Sequence, residues 1–197
     1  MKKLIHNHIL MSGIYKGISG MSLFLSIRIL MDYLGVDVFG IWTLIFTVFQ
    51  FVLLMDFGIQ STLKTKIPQL KINFDSVNIL GYIKSTYLFS SIISLLIFIF
   101  FIVFSFFINF REIFNISNFS NNFIRNLFII NVFFFCINFV ANIHKSLFVA
   151  FLKGKFSEAS IALNQLVFFL SIFLFTKLNY TFSDEDKILY ISLLNGS

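Results

Sequence analysis

The segment Ser85–Ile108 is a continuous run of apolar and small polar residues without a single charged side chain. A helix needs roughly 20 apolar residues to cross the hydrocarbon core of a bilayer, and buried helices of water-soluble domains are seldom that long without a charge. The rest of the chain has the same character, with 31 phenylalanines and a mean hydropathy of +0.91 over 197 residues. The sequence therefore predicts an all-α, polytopic membrane protein.

Five membrane spans and the start of a sixth can be placed on the sequence. We expect them at about residues 9–30, 38–55, 85–108, 127–151 and 159–175, and a last apolar run opens at Ile188. Fewer than about 17 residues do not cross a bilayer as a helix, so we expect the chain to end inside its sixth helix. The sequence predicts one transmembrane domain over residues 1–197.

The charges of the connecting segments predict the orientation. Nine basic and three acidic residues fall before the first span, after the second and at or after the end of the fourth, where Lys145 is counted, whereas four basic and six acidic residues fall on the other side. An excess of Lys and Arg marks cytoplasmic segments, so the N-terminus is expected in the cytoplasm. The net charge of +6 is thereby explained without nucleic acid as a partner.

Two cations lie inside the first predicted span. Lys16 shares a helical face with Ser12, Ser19 and Ser26, because offsets of three, four and seven residues return to one side of a helix. Charges at membrane depth usually face a bundle interior or a wet cavity. The alternative is that Lys16 and Arg28 each extend from near one end of the span to the nearer membrane surface.

A second polar stripe lies in the fourth predicted span. Asn131, Asn138, Asn142 and Lys145 follow one another at offsets of seven, four and three, and so share one helical face. Such a face either borders a cavity or supplies hydrogen bonds between helices, which contribute about 0.6 kcal/mol each on average. Both interpretations remain open from the sequence.

Nothing in the chain forms a recognisable catalytic or metal-binding pattern. The three histidines do not have the spacing of a ligand set, and Cys136 is the only cysteine. No glycine-rich phosphate loop is present, and the acidic residues do not pair as an acid and a base would. We therefore expect neither an enzyme nor a bound cofactor or metal.

Two glycine-containing turns flank the second predicted span. Gly35 and Gly58 would let the backbone turn at helix ends, and Asp37 would interact well with the exposed N–H groups at the start of the second helix. Asp56 would close that helix and pair with a cation such as Lys64 or Lys66. The two motifs consist of Leu34, Gly35, Asp37, Phe39, Gly40, Ile41 and Trp42, and of Asp56, Phe57, Gly58 and Ile59.

In order and spacing, residues 28–68 resemble the start of the polysaccharide repeat-unit flippases, the O-antigen translocases of the multidrug/oligosaccharidyl-lipid/polysaccharide exporter superfamily. The resemblance implies a transporter that moves an undecaprenyl-pyrophosphate-linked oligosaccharide across the cell inner membrane by alternating access. Family members have about twelve helices in two lobes around a central cavity, so this chain would be most of the first lobe, truncated at its C-terminus.

The resemblance also implies a polar, cationic cavity, because pyrophosphate and sugar must cross lipid without water. The residues expected to bind substrate there are Lys16, Arg28, Arg125, Asn131, Asn138 and Asn142. Expected partners are the lipid-linked oligosaccharide, membrane lipids and the polymerase and assembly proteins of polysaccharide synthesis. Two other functions stay open: a small accessory or channel-like membrane subunit, and a membrane-embedded glycosyl- or acyltransferase.

Overall fold

The computed structural model describes residues 2–54, 58–72, 76–114, 119–178 and 182–196. All regular structure in these ranges is helical, which confirms the predicted class. The helices are α1 (Lys2–Leu34), α2 (Val36–Leu54), α3 (Ile59–Ile72), α4 (Ser76–Phe107), α5 (Phe110–Ile113), α6 (Asn121–Ala141), α7 (Ile143–Ala150), α8 (Gly154–Leu178) and α9 (Asp184–Gly196).

Four helical stretches in the described part of the chain are long and apolar enough to cross a membrane. They are Ile9–Leu34, Asn78–Phe107, Asn121–Ala150 and Gly154–Leu178, and they cover four of the five predicted spans to within one residue. The remaining predicted span, residues 38–55, falls on a shorter apolar stretch, Val36–Phe49. Helix length and composition thus indicate a multi-pass membrane protein, with four candidate spans in the described residues.

Helices α1 and α8 lie side by side and run in the same direction. The side chain of Lys16 meets Glu158 near one end, and the ring of Tyr33 meets that of Phe175, 6.1 Å away, near the other. Tyr33 follows Lys16 by 17 residues, and Phe175 follows Glu158 by the same number, so the two helices are parallel and in register. Ser22 and Ser26 are buried on the face of α1 that carries the contact.

Helices α4 and α6 form an antiparallel pair that is packed mainly by aromatic rings. The Ser94 hydroxyl donates to the Cys136 carbonyl (2.8 Å), and Phe98 meets Phe133 with 6.0 Å between ring centroids. Phe49 of α2 joins the pair, and its ring lies 5.3 Å from that of Phe128. This cluster of rings is the centre of the main hydrophobic core.

The basic segment after the second predicted span, which was expected only as a connection between spans, contains helix α3. Leu63 and Ile67 are fully buried against α7, and the Ser146 hydroxyl donates to Oε1 of Gln60 (2.9 Å). The four-residue spacing of two apolar residues among lysines marks the buried side of a short amphipathic helix. Lys64 and Lys66 remain exposed on it.

Both predicted glycine turns have a left-handed backbone. Gly35 has φ +77° and is the only residue between α1 and α2, and Gly58 has φ +73° directly before α3. Residues with a Cβ atom rarely adopt this region, whereas glycine does so without steric cost. The N–H of Gly35 donates to the carbonyl of Met31 (3.0 Å), so the same residue also closes α1.

Helix α9 begins with a side-chain cap and then enters the core. The Ser183 hydroxyl accepts from the N–H of Asp186 (3.2 Å) and donates to its carboxylate (2.6 Å), which satisfies a backbone donor at the start of the helix. Ile188 and Ile191 are fully buried in the core that contains the aromatic cluster. The last apolar run of the sequence is therefore helical and packed.

Candidate functional site

A groove of about 510 Å³ lies where α1 passes the turn between α7 and α8. We call it the Lys16 groove. It combines apolar walls with two ammonium groups and one carboxylate, and small residues of α1 leave room for it. Its lining residues are Ile9, Ser12, Gly13, Lys16, Val149, Leu152, Gly154, Lys155 and Glu158.

The charged centre of the groove is an ion pair between Lys16 and Glu158. Nζ of Lys16 lies 3.6 Å from Oε1 of Glu158, and 68% of the lysine side chain is accessible against 27% of the glutamate side chain. An exposed pair of this length contributes only about 0–1 kcal/mol. The ammonium group of Lys16 is therefore paired but accessible to a second anion.

The turn between α7 and α8 forms one wall of the groove with an unusual backbone. Leu152 has φ +59°, the N–H of Lys153 donates to the carbonyl of Phe148 (2.7 Å), and the N–H of Leu152 donates to Val149 (2.9 Å). These two bonds define a Schellman motif, whose left-handed position is usually glycine. The motif closes α7 and sets the direction in which α8 starts.

The asparagine stripe predicted from the sequence leads toward this groove. Asn142 has helical angles (φ −62°, ψ −13°), so α6 and α7 continue almost without interruption. Val149 follows Lys145 by four residues and therefore shares the helical face of Asn138, Asn142 and Lys145. Since Val149 lines the groove, one polar face of α6 and α7 ends there.

The members of that stripe have different surroundings. Asn131 is buried, and its amide group donates to the carbonyl of Leu127 in the same helix (2.8 Å), a bond that neither sequence interpretation anticipated. Asn138 and Asn142 are half-buried, and the side chain of Asn142 makes no capping bond to α7. Asn138 and Asn142 are thus the more accessible amides of the stripe.

Two of the predicted substrate-binding residues lie far from the groove. Arg28 is exposed on the side of α1 opposite Ser26, about 18 Å along the helix from Lys16. The guanidinium group of Arg125 donates to Asn122 (3.1 Å) and lies 4.9 Å from the centroid of the Phe106 ring. The structure places Val149, which shares the helical face of Asn138 and Asn142, in the Lys16 groove, but Arg28, Arg125 and the asparagines themselves are not among the residues that line it.

The described residues of the two glycine-containing motifs occupy structural positions. Asp37 lies in the exposed first turn of α2, as predicted, and Trp42 is buried with its ring stacked on Phe46 at 5.4 Å. Gly40 lies within α2, where a Cβ atom would meet nothing within 4 Å. Asp56, with its predicted ion pair, lies outside the described residues.

Three polar contributors to this region were not identified as site residues from the sequence. Glu158 and Lys155 were counted only as loop charges, although both lie in the first two turns of α8. Nε2 of His144 lies 3.0 Å from the Ser160 hydroxyl and ties α7 to α8. Only the pairing of α1 with α8, which no local pattern encodes, reveals Glu158 as the partner of Lys16.

Comparison of the chain with protein-family models, with curated proteins and with solved structures gave no match. Within the described residues, no group of three or more His, Cys, Asp and Glu side chains is arranged to hold a metal ion.

Proposed function

We propose that the chain acts in a flippase that carries undecaprenyl-pyrophosphate-linked oligosaccharide across the cell inner membrane, for O-antigen or capsular polysaccharide synthesis. The proposal rests on the resemblance of residues 28–68 to that family. One structural observation supports it: the Lys16 groove contains an accessible ammonium group and is bordered by Val149, which lies on the same helical face as Asn138 and Asn142. A substrate that carries both pyrophosphate and sugar would need a cation for the first and hydrogen-bonding amides for the second.

The charges suggest how such a substrate would be held. A pyrophosphate in a bilayer needs cations in place of water, and it carries more negative charge than one carboxylate. Because the pair between Lys16 and Glu158 is exposed, exchange of the carboxylate for pyrophosphate has a small cost. The amides of Asn138 and Asn142 would then bond to sugar hydroxyls. Exchange of the partner of Lys16 would alter the α1–α8 contact on loading, as alternating access requires.

Replacement of Lys16 in the producing bacterium tests the proposal. Lys16→Ala removes the cation, and hydrogen bonds to charged groups contribute about 1.5–3 kcal/mol, so export should fall about ten- to hundredfold. Lys16→Arg should retain export. The measurements are surface polysaccharide by immunoblot and lipid-linked repeat units in isolated inner membranes, at matched protein levels. Lys177→Ala, an exposed cation at the far end of α8, is the matched control.

The lipid-linked intermediate separates transport from synthesis. A transport defect should make the repeat unit accumulate in the inner membrane while surface polysaccharide falls. Loss of the intermediate together with the polymer would contradict the proposal and favour the glycosyl- or acyltransferase. Normal export by Lys16→Ala would show that the Lys16 groove does not carry the substrate.

A further inference from the structure

A second groove, of about 530 Å³, lies between the start of α3 and the first half of α4, and we call it the α3–α4 groove. Its volume is in the range of about 300–1,000 Å³ that is usual for small-molecule sites. It shares no residue with the Lys16 groove. It is lined by Gly58, Ile59, Thr62, Tyr82, Ser85, Thr86, Leu88, Phe89 and Ile92.

Polarity changes along this groove in one direction. Tyr82 and Ser85 lie at the end nearer the start of α4, and Leu88, Phe89 and Ile92 follow along the same helix. At 1.5 Å per residue, Tyr82 and Phe89 are about 10 Å apart. A hydroxyl-lined end followed by an apolar end is the order of a phospholipid, whose phosphate and ester groups precede its acyl chains.

The hydroxyl groups of the polar end differ in their availability. The Thr62 hydroxyl donates to the carbonyl of Gly58 (2.6 Å), and the Thr86 hydroxyl donates to that of Tyr82 (2.8 Å). Tyr82 is half-buried and Ser85 is exposed, and neither side chain has a hydrogen-bond partner in the described part of the protein. Tyr82 and Ser85 are therefore the donors available to a phosphate oxygen.

The described residues around the polar end carry positive charge. Residues 58–72 and 76–92 contain four lysines and no Asp or Glu, and the acids next to these ranges, Asp56 and Asp75, lie outside the described residues. Lys66 is exposed and follows Thr62 by four residues, so it lies on the groove side of α3 one turn further on. Lys64 points about 160° away from Lys66 around the helix, because each residue advances by about 100°. The polar end is thus complementary to an anionic head group.

We propose that the α3–α4 groove binds one anionic phospholipid of the surrounding bilayer. Its phosphate lies beside Lys66 and receives hydrogen bonds from Tyr82 and Ser85, and one acyl chain lies along Leu88, Phe89 and Ile92. The bound lipid connects the amphipathic helix α3 to the membrane-spanning helix α4. This site is independent of the transport proposed above, since its ligand is a component of the bilayer.

Native mass spectrometry of the full chain in an uncharged detergent tests this site. Phosphatidylglycerol and phosphatidylcholine with identical acyl chains are titrated separately. The wild-type protein should retain phosphatidylglycerol more strongly, and Lys66→Ala should weaken its binding about fivefold, the effect expected of one lysine at a membrane surface. Lys64→Ala removes the same charge from the other side of α3 and should leave binding unchanged. Ile92→Trp, which fills the apolar end, should weaken both lipids.

Three results would overturn the site, given variants with unchanged melting temperatures. Equal retention of the two lipids by the wild-type protein would exclude head-group recognition. An equal effect of Lys64→Ala and Lys66→Ala would show that general surface charge is responsible. Stronger binding of undecaprenyl phosphate than of phosphatidylglycerol would assign the groove to a transport substrate instead.

Discussion

The α1–α8 pair and the α4–α6 pair are both contacts between long helices, but they are built from different side chains. Aromatic rings and a reciprocal pair of bonds between Ser94 and Cys136 hold α4 to α6. The buried side chains of α1 and α8 include several small ones, among them Ser22 and Ser26 on α1 and Ser157 and Ala162 on α8. Small residues let two backbones approach closely in a membrane.

The difference teaches which contact can rearrange at low cost. Interdigitated rings must leave their places before α4 and α6 can move. Between α1 and α8 the small side chains present fewer obstacles, and the rings of Tyr33 and Phe175 meet only near one end. The Lys16 groove lies beside the α1–α8 contact, and the aromatic cluster lies in the α4–α6 contact. The transport proposed above needs both a fixed and a movable part, and the two helix pairs are suited to these roles.

The largest effect is expected at Phe49 of α2, whose ring packs against the α4–α6 pair. The ring of Phe49 lies 6.0 Å or less from the rings of Phe101, Phe128 and Phe135, and its residue is only 4% exposed. Phe49→Ala should destabilise the protein by about 3–5 kcal/mol, because it removes contacts and leaves a cavity. Thermal unfolding in detergent measures this. Phe100→Ala, at a residue that is 60% exposed, should change stability far less, and equal losses would contradict this assignment of the core.

An intermediate effect is expected when a small side chain of the α1–α8 contact is replaced by a larger one. Ser26 is 1% exposed, and its hydroxyl already bonds within α1 to the carbonyl of Ser22 (2.8 Å). Ser26→Leu adds volume between α1 and α8 and should destabilise by about 1–3 kcal/mol, as overpacking does. Ser26→Ala should leave the melting temperature nearly unchanged. A tolerated leucine would show that α1 does not pack closely at this position.

The smallest effect is expected at the turn that leads into α8. Leucine at φ +59° costs about 1–2 kcal/mol, and the added freedom of glycine in the unfolded chain offsets about half of this. Leu152→Gly should therefore stabilise the protein by about 0.5–1 kcal/mol, seen as a higher melting temperature. Leu152→Ala retains the Cβ atom and should not reproduce the gain. A lower melting temperature for Leu152→Gly would show that the leucine side chain makes a stabilising contact.

Much of the fold could be predicted because membrane burial is a property of local sequence. An uncharged run such as Ser85–Ile108 is expected to be helical wherever it packs, and α4 includes all of it except Ile108; Gly35 and Gly58 were identified correctly as turns. Helix α3 was missed because only Leu63 and Ile67 mark its buried side within a lysine-rich segment. A count of charges alone describes such a segment as a loop.

The candidate site was predictable only in part. The asparagine face follows from helical periodicity, and Lys16 follows from its rarity in an apolar span. The contact with Glu158 could not be inferred, since it depends on two helices that are far apart in the chain lying in parallel register. The exposure of Arg28 on the opposite side of α1 also depends on which face α8 covers.

The one-residue connection at Gly35 also bears on how the protein enters the membrane. A single residue leaves almost no slack between the two helices, so the direction of α2 relative to α1 depends on the left-handed backbone of Gly35. Asp32 and Asp37 lie on either side of this connection, and both are exposed. Passage of the connection through a bilayer would carry both carboxylates through the hydrocarbon, at a cost of several kcal/mol.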